Sequence, residues 1–258
     1  MRYRAGDGSA EARFADPGGS APAVIVLHEV WGMTPFIEGV LADLADLGFA
    51  SFAPVLYWRD RELFSAENIR EAMKAVWKLP LEERFDRRKR RSWVTEAKAP
   101  TDASRLLDKL YDQGYRSLIC DDVLRLALAV SRDRPSLGAV GYSMGGGFAF
   151  RLAAGFKDLR ACVTYSAQPP SPTDLAESRS PLLSFYGSRD RFMTKRVPEF
   201  VAEALRLGRE LTLKVYPSAA HEFFDRYDRM GYLPEFAADS WKMATQFLVE
   251  RLTRASQS

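Results

Sequence analysis

Short apolar runs alternate along the chain with segments of helical periodicity. Ala23-Val24-Ile25-Val26-Leu27 is apolar without interruption, the pattern of a strand buried on both faces of a parallel sheet. From Phe36 to Leu47 the apolar residues recur at helical spacing, with Phe36, Val40, Leu44 and Leu47 on one stripe. Gly48 closes that helix, and Phe49 to Val55 predicts a second core strand. The alternation returns later, with strands over Leu137 to Tyr142, Ala161 to Ser166, Leu182 to Tyr186 and Leu211 to Tyr216. Helices are predicted over Met144 to Phe156, Val197 to Leu207 and about Glu235 to Leu252. Repeated strand–helix units predict an α/β fold, a mostly parallel central sheet with helices on both faces.

Two stretches depart from that rhythm. Tyr3 to Ala5 and Ala12 to Ala15 flank a Gly-Asp-Gly-Ser turn over Gly6 to Ser9, which predicts a small opening hairpin. Between the second and third core strands the pattern is helical. Leu63 to Leu79 reads as one helix ended by Pro80, Leu81 to Trp93 is polar and basic, and Thr101 to Tyr111 and Asp121 to Ser131 are further helices. With no internal repeat and no linker, the pattern predicts one domain over residues 1–258 carrying a helical insertion at about 60–100.

Composition narrows the function classes. The chain has 258 residues, 47% of them hydrophobic, with 37 Lys+Arg against 34 Asp+Glu. That is ordinary globular composition, and a net charge of +3 does not by itself argue for a nucleic-acid partner. The basic run Arg84, Arg87, Arg88, Lys89, Arg90 and Arg91 is read as a solvated face. The longest apolar stretches, such as Ala23 to Leu27 and Leu126 to Val130, fall far short of the about 20 residues that a membrane span needs. The first residues contain no apolar signal-peptide core, and Cys120 and Cys162 form no disulfide framework, so a cytoplasmic protein is expected. His28 and His221 are the only histidines. A His-rich metal site is therefore not expected, histidine-dependent catalysis has two candidates, and no metal or cofactor is expected.

Gly141-Tyr142-Ser143-Met144-Gly145 is G-x-S-x-G placed between a predicted strand and a predicted helix. There a sharp, strained turn lifts the serine hydroxyl clear of the sheet edge, and the helix behind it offers backbone N–H groups. A serine hydroxyl needs a base, and the base needs an orienting acid. Asp190 lies just beyond the Leu182 strand, and His221 lies in the loop after the Leu211 strand. Both therefore reach the sheet edge that holds Ser143, in the chain order serine, acid, histidine. No histidine other than His221 follows Ser143, and Asp174 and Asp225 are alternative acids.

His28-Glu29-Val30-Trp31-Gly32, Gly48-Phe49-Ala50 and Ala53-Pro54-Val55-Leu56-Tyr57, with the elbow, Gly187-Ser188-Arg189-Asp190 and His221-Glu222-Phe223-Phe224, resemble the dienelactone hydrolase family of α/β-hydrolases over about residues 10–255. The resemblance implies an α/β-hydrolase fold. It also implies that Val30 and Met144 donate the two oxyanion-hole N–H groups and that Glu29 stands beside the nucleophile. Glu29 is expected to hold the Val30 loop, with no part in proton transfer. The chain departs from the family at three points: Ser143 replaces the elbow cysteine, Val55 replaces an acid, and the carboxylate-binding arginines have no clear counterparts. Arg59 and Arg226 are the candidates for those arginines. Trp31, Tyr57 and Trp58 are candidate substrate contacts, and Tyr57, Trp58, Phe64, Trp77 and Trp93 could line an acyl pocket or lid.

The expected activity is hydrolysis of carboxylic esters or lactones through an acyl-enzyme, with a small-molecule substrate. A dienelactone hydrolase in the strict sense (a carboxymethylenebutenolidase) is the alternative within the class. A non-catalytic binding protein on a hydrolase scaffold is the alternative outside it. Monomer and homodimer both remain open.

Overall fold

The computed structural model describes residues 1–6, 8–76, 79, 81–84, 86–228 and 230–253, with the backbone alone at 81 and 82. Asp7 of the expected hairpin turn, Trp77 and Pro80 lie outside the described residues. The strands are β1 (Arg2–Ala5), β2 (Gly8–Ala15), β3 (Ala23–Leu27), β4 (Ala50–Pro54), β5 (Leu137–Tyr142), β6 (Leu159–Tyr165), β7 (Leu182–Gly187) and β8 (Leu211–Tyr216). They form one eight-stranded sheet in the order β1-β2-β4-β3-β5-β6-β7-β8. β1 and β2 are the expected hairpin, β2 joins β4 antiparallel, and every pairing from β4 to β8 is parallel.

The helices are α1 (Pro35–Asp46), α2 (Ala66–Val76), α3 (Leu81–Arg84), α4 (Arg87–Glu96), α5 (Thr101–Leu110), α6 (Gln113–Val130), α7 (Met144–Gly155), α8 (Pro172–Glu177), α9 (Arg191–Thr194), α10 (Val197–Arg206) and α11 (Pro234–Leu252). The period of two along the strands divides the core. Ile25, Leu27 and Ala139 pack with residues of α6, α7 and α10, while Val24, Val26 and Val140 pack with residues of α1 and α11. Each fully buried aliphatic side chain contributes roughly 1.5–3 kcal/mol of transfer free energy, so both faces of the sheet drive folding.

Three expectations change. The helix read from Asp121 begins at Gln113, because Asp112 caps it by accepting the Tyr115 N–H at 2.8 Å. The helix read over Leu63 to Leu79 is α2, preceded by turns. The basic run is not wholly a solvated face. Asp86 caps α4, Arg90 is buried, and Arg87, Arg90 and Arg91 converge on Asp108 of α5. The single carboxylate draws the guanidinium groups of one helix onto its neighbour.

The strand order creates the site. After β3 the chain moves to β4 on one side, and β5 then returns to the other side of β3. The loops leaving β3 and β5 therefore part in opposite directions, opening a crevice at their C-terminal ends, where open α/β sheets bind ligands. Leu27 of β3 is in register with Gly141 of β5, which brings His28, Glu29 and Val30 beside Ser143.

Candidate active site

Ser143 occupies the turn between β5 and α7 with φ +49° and ψ −114°, a region that non-glycine residues rarely adopt and that stores strain. Its N–H donates to the Tyr165 carbonyl at 2.8 Å, which anchors the turn to β6. Gly145 is required beside it, since a Cβ there would collide with the Leu27 carbonyl at the end of β3.

The Ser143 Oγ lies 2.7 Å from His221 Nε2, and His221 Nδ1 lies 2.5 Å from Asp190 Oδ2. The carboxylate accepts a hydrogen bond from the Nδ1–H, leaving Nε2 to accept from the hydroxyl. Burial pulls the imidazole pKa down, but the Asp190 hydrogen bond and charge outweigh it, so the net direction is upward from 6.5. Asp190 is also held by the main chain, its Oδ1 accepting the Met193 N–H as the cap of α9. The two alternative acids are engaged elsewhere: Asp174 pairs with Arg151, and Asp225 accepts the Tyr227 N–H. Ser166, at the end of β6, donates to the His221 carbonyl at 2.6 Å and fixes the histidine loop. At Gly187 a Cβ would stand 2.5 Å from the Ala219 carbonyl, so glycine lets β7 and the histidine loop meet. The sequence reading missed Ser166; its position at a strand end beside the elbow was the available signal.

Ser143, Asp190, His221, Glu29, Val30 and Met144 line one cavity of about 810 Å³. Met73, Leu79, Leu110 and Tyr111 from the helical region after β4 form part of its wall. The aromatics expected there do other work. Tyr57 and Phe64 are buried and stacked at 4.2 Å, while Trp58 donates to Asp122 at 2.9 Å. Trp31 donates its indole N–H to Glu222, which does line the cavity. The two arginine expectations are corrected. Arg59 is ion-paired with Asp122, and Arg226 lies 3.9 Å from Asp43; neither lines the cavity. Arg116 of α6 does, with its guanidinium 5.0 Å from the Phe148 ring centroid and no carboxylate paired with it among the described residues. Burial pulls its pKa below the usual arginine value. No group of side chains able to hold a metal ion occurs among the described residues.

Glu29 is buried, and neither carboxyl oxygen has a hydrogen-bond partner among the described residues. Burial, reinforced by Glu222, Asp225 and Asp228, pushes its pKa well above the ordinary carboxylate range. Among the described residues no hydrogen bond links its side chain to the Val30 loop. Glu29→Gln replaces the carboxyl group with an amide of the same shape. It lowers kcat/KM for simple esters by less than about 100-fold, short of the roughly 10⁴ typical of a lost catalytic-triad member. A loss as deep as that of Ser143→Ala in steady-state assays of folded protein would contradict this.

The model of the dienelactone hydrolase family matches residues 10–252. A Saccharolobus solfataricus protein provisionally named a carboxymethylenebutenolidase is 28% identical over 251 residues, covering 92% of each chain. Carboxymethylenebutenolidase 1 of Cupriavidus pinatubonensis is 26% identical, over 79% of this chain and 76% of that one. The solved structure of a provisionally named dienelactone hydrolase from Klebsiella pneumoniae superposes with a TM-score of 0.72 at 20% identity, over 99% of this chain and 97% of that one. That likeness shows the α/β-hydrolase fold. With the family model spanning nearly the whole chain, this protein belongs to the dienelactone hydrolase family and is a hydrolase.

Proposed function

We propose that this hydrolase cleaves carboxylic esters or lactones through an acyl-enzyme on Ser143. The observation that carries the reading is the continuous hydrogen-bond chain from Ser143 Oγ through His221 to Asp190. Ser143 Oγ attacks the carbonyl carbon as its proton passes to His221 Nε2. Asp190 holds the Nδ1 proton and stabilises the imidazolium. The oxyanion is held by the N–H groups of Val30 and Met144, each worth several kcal/mol when aimed at the developing charge. Collapse breaks the carbon–oxygen bond, and His221 returns its proton to the leaving oxygen. Water, deprotonated by His221, then releases the acid and restores Ser143.

A narrower reading, a lactone bearing a carboxylate, is favoured by Arg116, a desolvated cation in the cavity wall with no carboxylate paired with it among the described residues. The names of the relatives point the same way. The experiment compares a neutral aryl ester with a carboxylated lactone in wild type and Arg116→Met. A charged hydrogen bond of about 1.5–3 kcal/mol predicts a roughly 10–100-fold loss of kcat/KM for the carboxylated substrate alone. Equal effects on both substrates would remove the narrower reading. Turnover of neither substrate by the wild type would remove the broader one.

A further inference from the structure

His28 takes no part in the chemistry proposed above, yet it is fully buried at the end of β3. Its Nδ1 lies 2.7 Å from the Glu29 carbonyl oxygen, and its Nε2 lies 3.3 Å from the Leu56 main-chain nitrogen. The Leu56 N–H can only donate, so Nε2 accepts and the ring proton sits on Nδ1, donated to the Glu29 carbonyl. Burial pulls the ring down to about 4, which keeps it neutral and in this tautomer through the ordinary assay range.

The consequence lies in the peptide plane. The Glu29 C=O and the Val30 N–H belong to one planar trans peptide and point in opposite directions. Holding the carbonyl therefore aims the N–H. The Gly32 N–H donates to the same oxygen at 3.2 Å. The next peptide is held independently, since the Tyr57 hydroxyl donates to the Val30 carbonyl at 3.0 Å. That hydroxyl also touches Met144 Sδ at 3.8 Å, and the Tyr57 ring packs edge-on to His28 with centroids 5.3 Å apart. Both peptides that flank the Val30 Cα are thus tied to buried side chains.

We infer that His28 is a positioning residue for the oxyanion site. Through the Glu29 carbonyl it aims the Val30 N–H at the developing charge, while Tyr57 fixes the following peptide. The inference rests on the reading of Val30 as an oxyanion donor. Without the imidazole the Glu29 carbonyl keeps only the longer bond from the Gly32 N–H, so the peptide is held less firmly, and rotation turns the Val30 N–H away from the carbonyl being attacked.

Three variants test it. His28→Leu removes the donor and keeps an apolar filling. His28→Asn retains an amide N–H where Nδ1 stood. Tyr57→Phe deletes only the hydroxyl. Removal of a whole oxyanion donor typically costs about 10²–10³ in kcat, so a misaimed one in His28→Leu is expected to cost about 10–100-fold, with KM held within about 3-fold. His28→Asn recovers kcat to within about 5-fold of wild type, and Tyr57→Phe loses about 3–30-fold. Affinity for an aryl trifluoromethyl ketone, whose serine adduct carries an oxyanion, falls in step with kcat/KM. The rising limb of the pH profile stays in place. Asparagine no better than leucine in folded protein, or a loss confined to KM with ketone affinity intact, overturns the inference. If the His28 variants do not fold, an unchanged kcat in Tyr57→Phe overturns it. Full kcat in these variants while Ser143→Ala is inactive refutes the positioning role alone; an active Ser143→Ala refutes the reading beneath it.

Discussion

Ser143→Ala removes nearly all ester hydrolysis and leaves the fold intact. In the proposed mechanism the hydroxyl forms the covalent bond on which both half-reactions depend, and loss of such a group costs about 10⁴-fold or more. The substitution deletes one oxygen, and alanine meets the same left-handed backbone at φ +49°, so thermal stability changes little. The measurement is steady-state hydrolysis of an aryl ester, with circular dichroism as the folding control. More than about a tenth of the wild-type rate in a folded variant contradicts the assignment.

The second large effect is the pH dependence set by His221 and Asp190. The imidazole must be neutral to accept the serine proton, and Asp190 raises its pKa above 6.5 despite burial. Activity is therefore lost as pH falls through that raised pKa, and kcat/KM rises with pH to a plateau above 6.5. Asp190→Asn removes the charge that lifts the imidazole. The rising limb moves to lower pH while the rate drops by about 10⁴-fold. Glu222, pushed up to about 7 by burial and by its hydrogen bond to Asp228, titrates in the same range. Measuring the profile in Glu222→Gln separates the two groups. His221→Gln is inactive across the range, whereas His28→Gln keeps a measurable fraction. A limb that stays in place in Asp190→Asn contradicts the account.

The central strands were legible because residues such as Val24 and Ile25 are buried on opposite faces and leave an uninterrupted apolar run. The elbow was legible because its glycines answer a steric demand that Gly145 meets against the Leu27 carbonyl. The histidine and its acid followed from strand ends that share one edge. Short helices were not legible. α8 and α9 have six and four residues, too few to show a period, although their caps Ser171 and Asp190 are in the sequence. Arg59 and Arg226 were candidates only as counterparts of the family's carboxylate-binding arginines, and the fold pairs them with Asp122 and Asp43; Arg116 reaches the cavity from the part of α6 before Asp121, where the sequence predicted no helix. The task of His28 was equally hidden, because it rests on a bond to the neighbouring residue's carbonyl and not on any motif.

Covalent labelling by a fluorophosphonate, read by intact mass and peptide mapping, tests the central claim most directly. The account predicts one adduct per chain, located on Ser143, with ester hydrolysis lost in proportion to labelling and no adduct on Ser143→Ala. A protein that hydrolyses esters yet takes no label, or takes it on another residue while Ser143→Ala stays active, would contradict it.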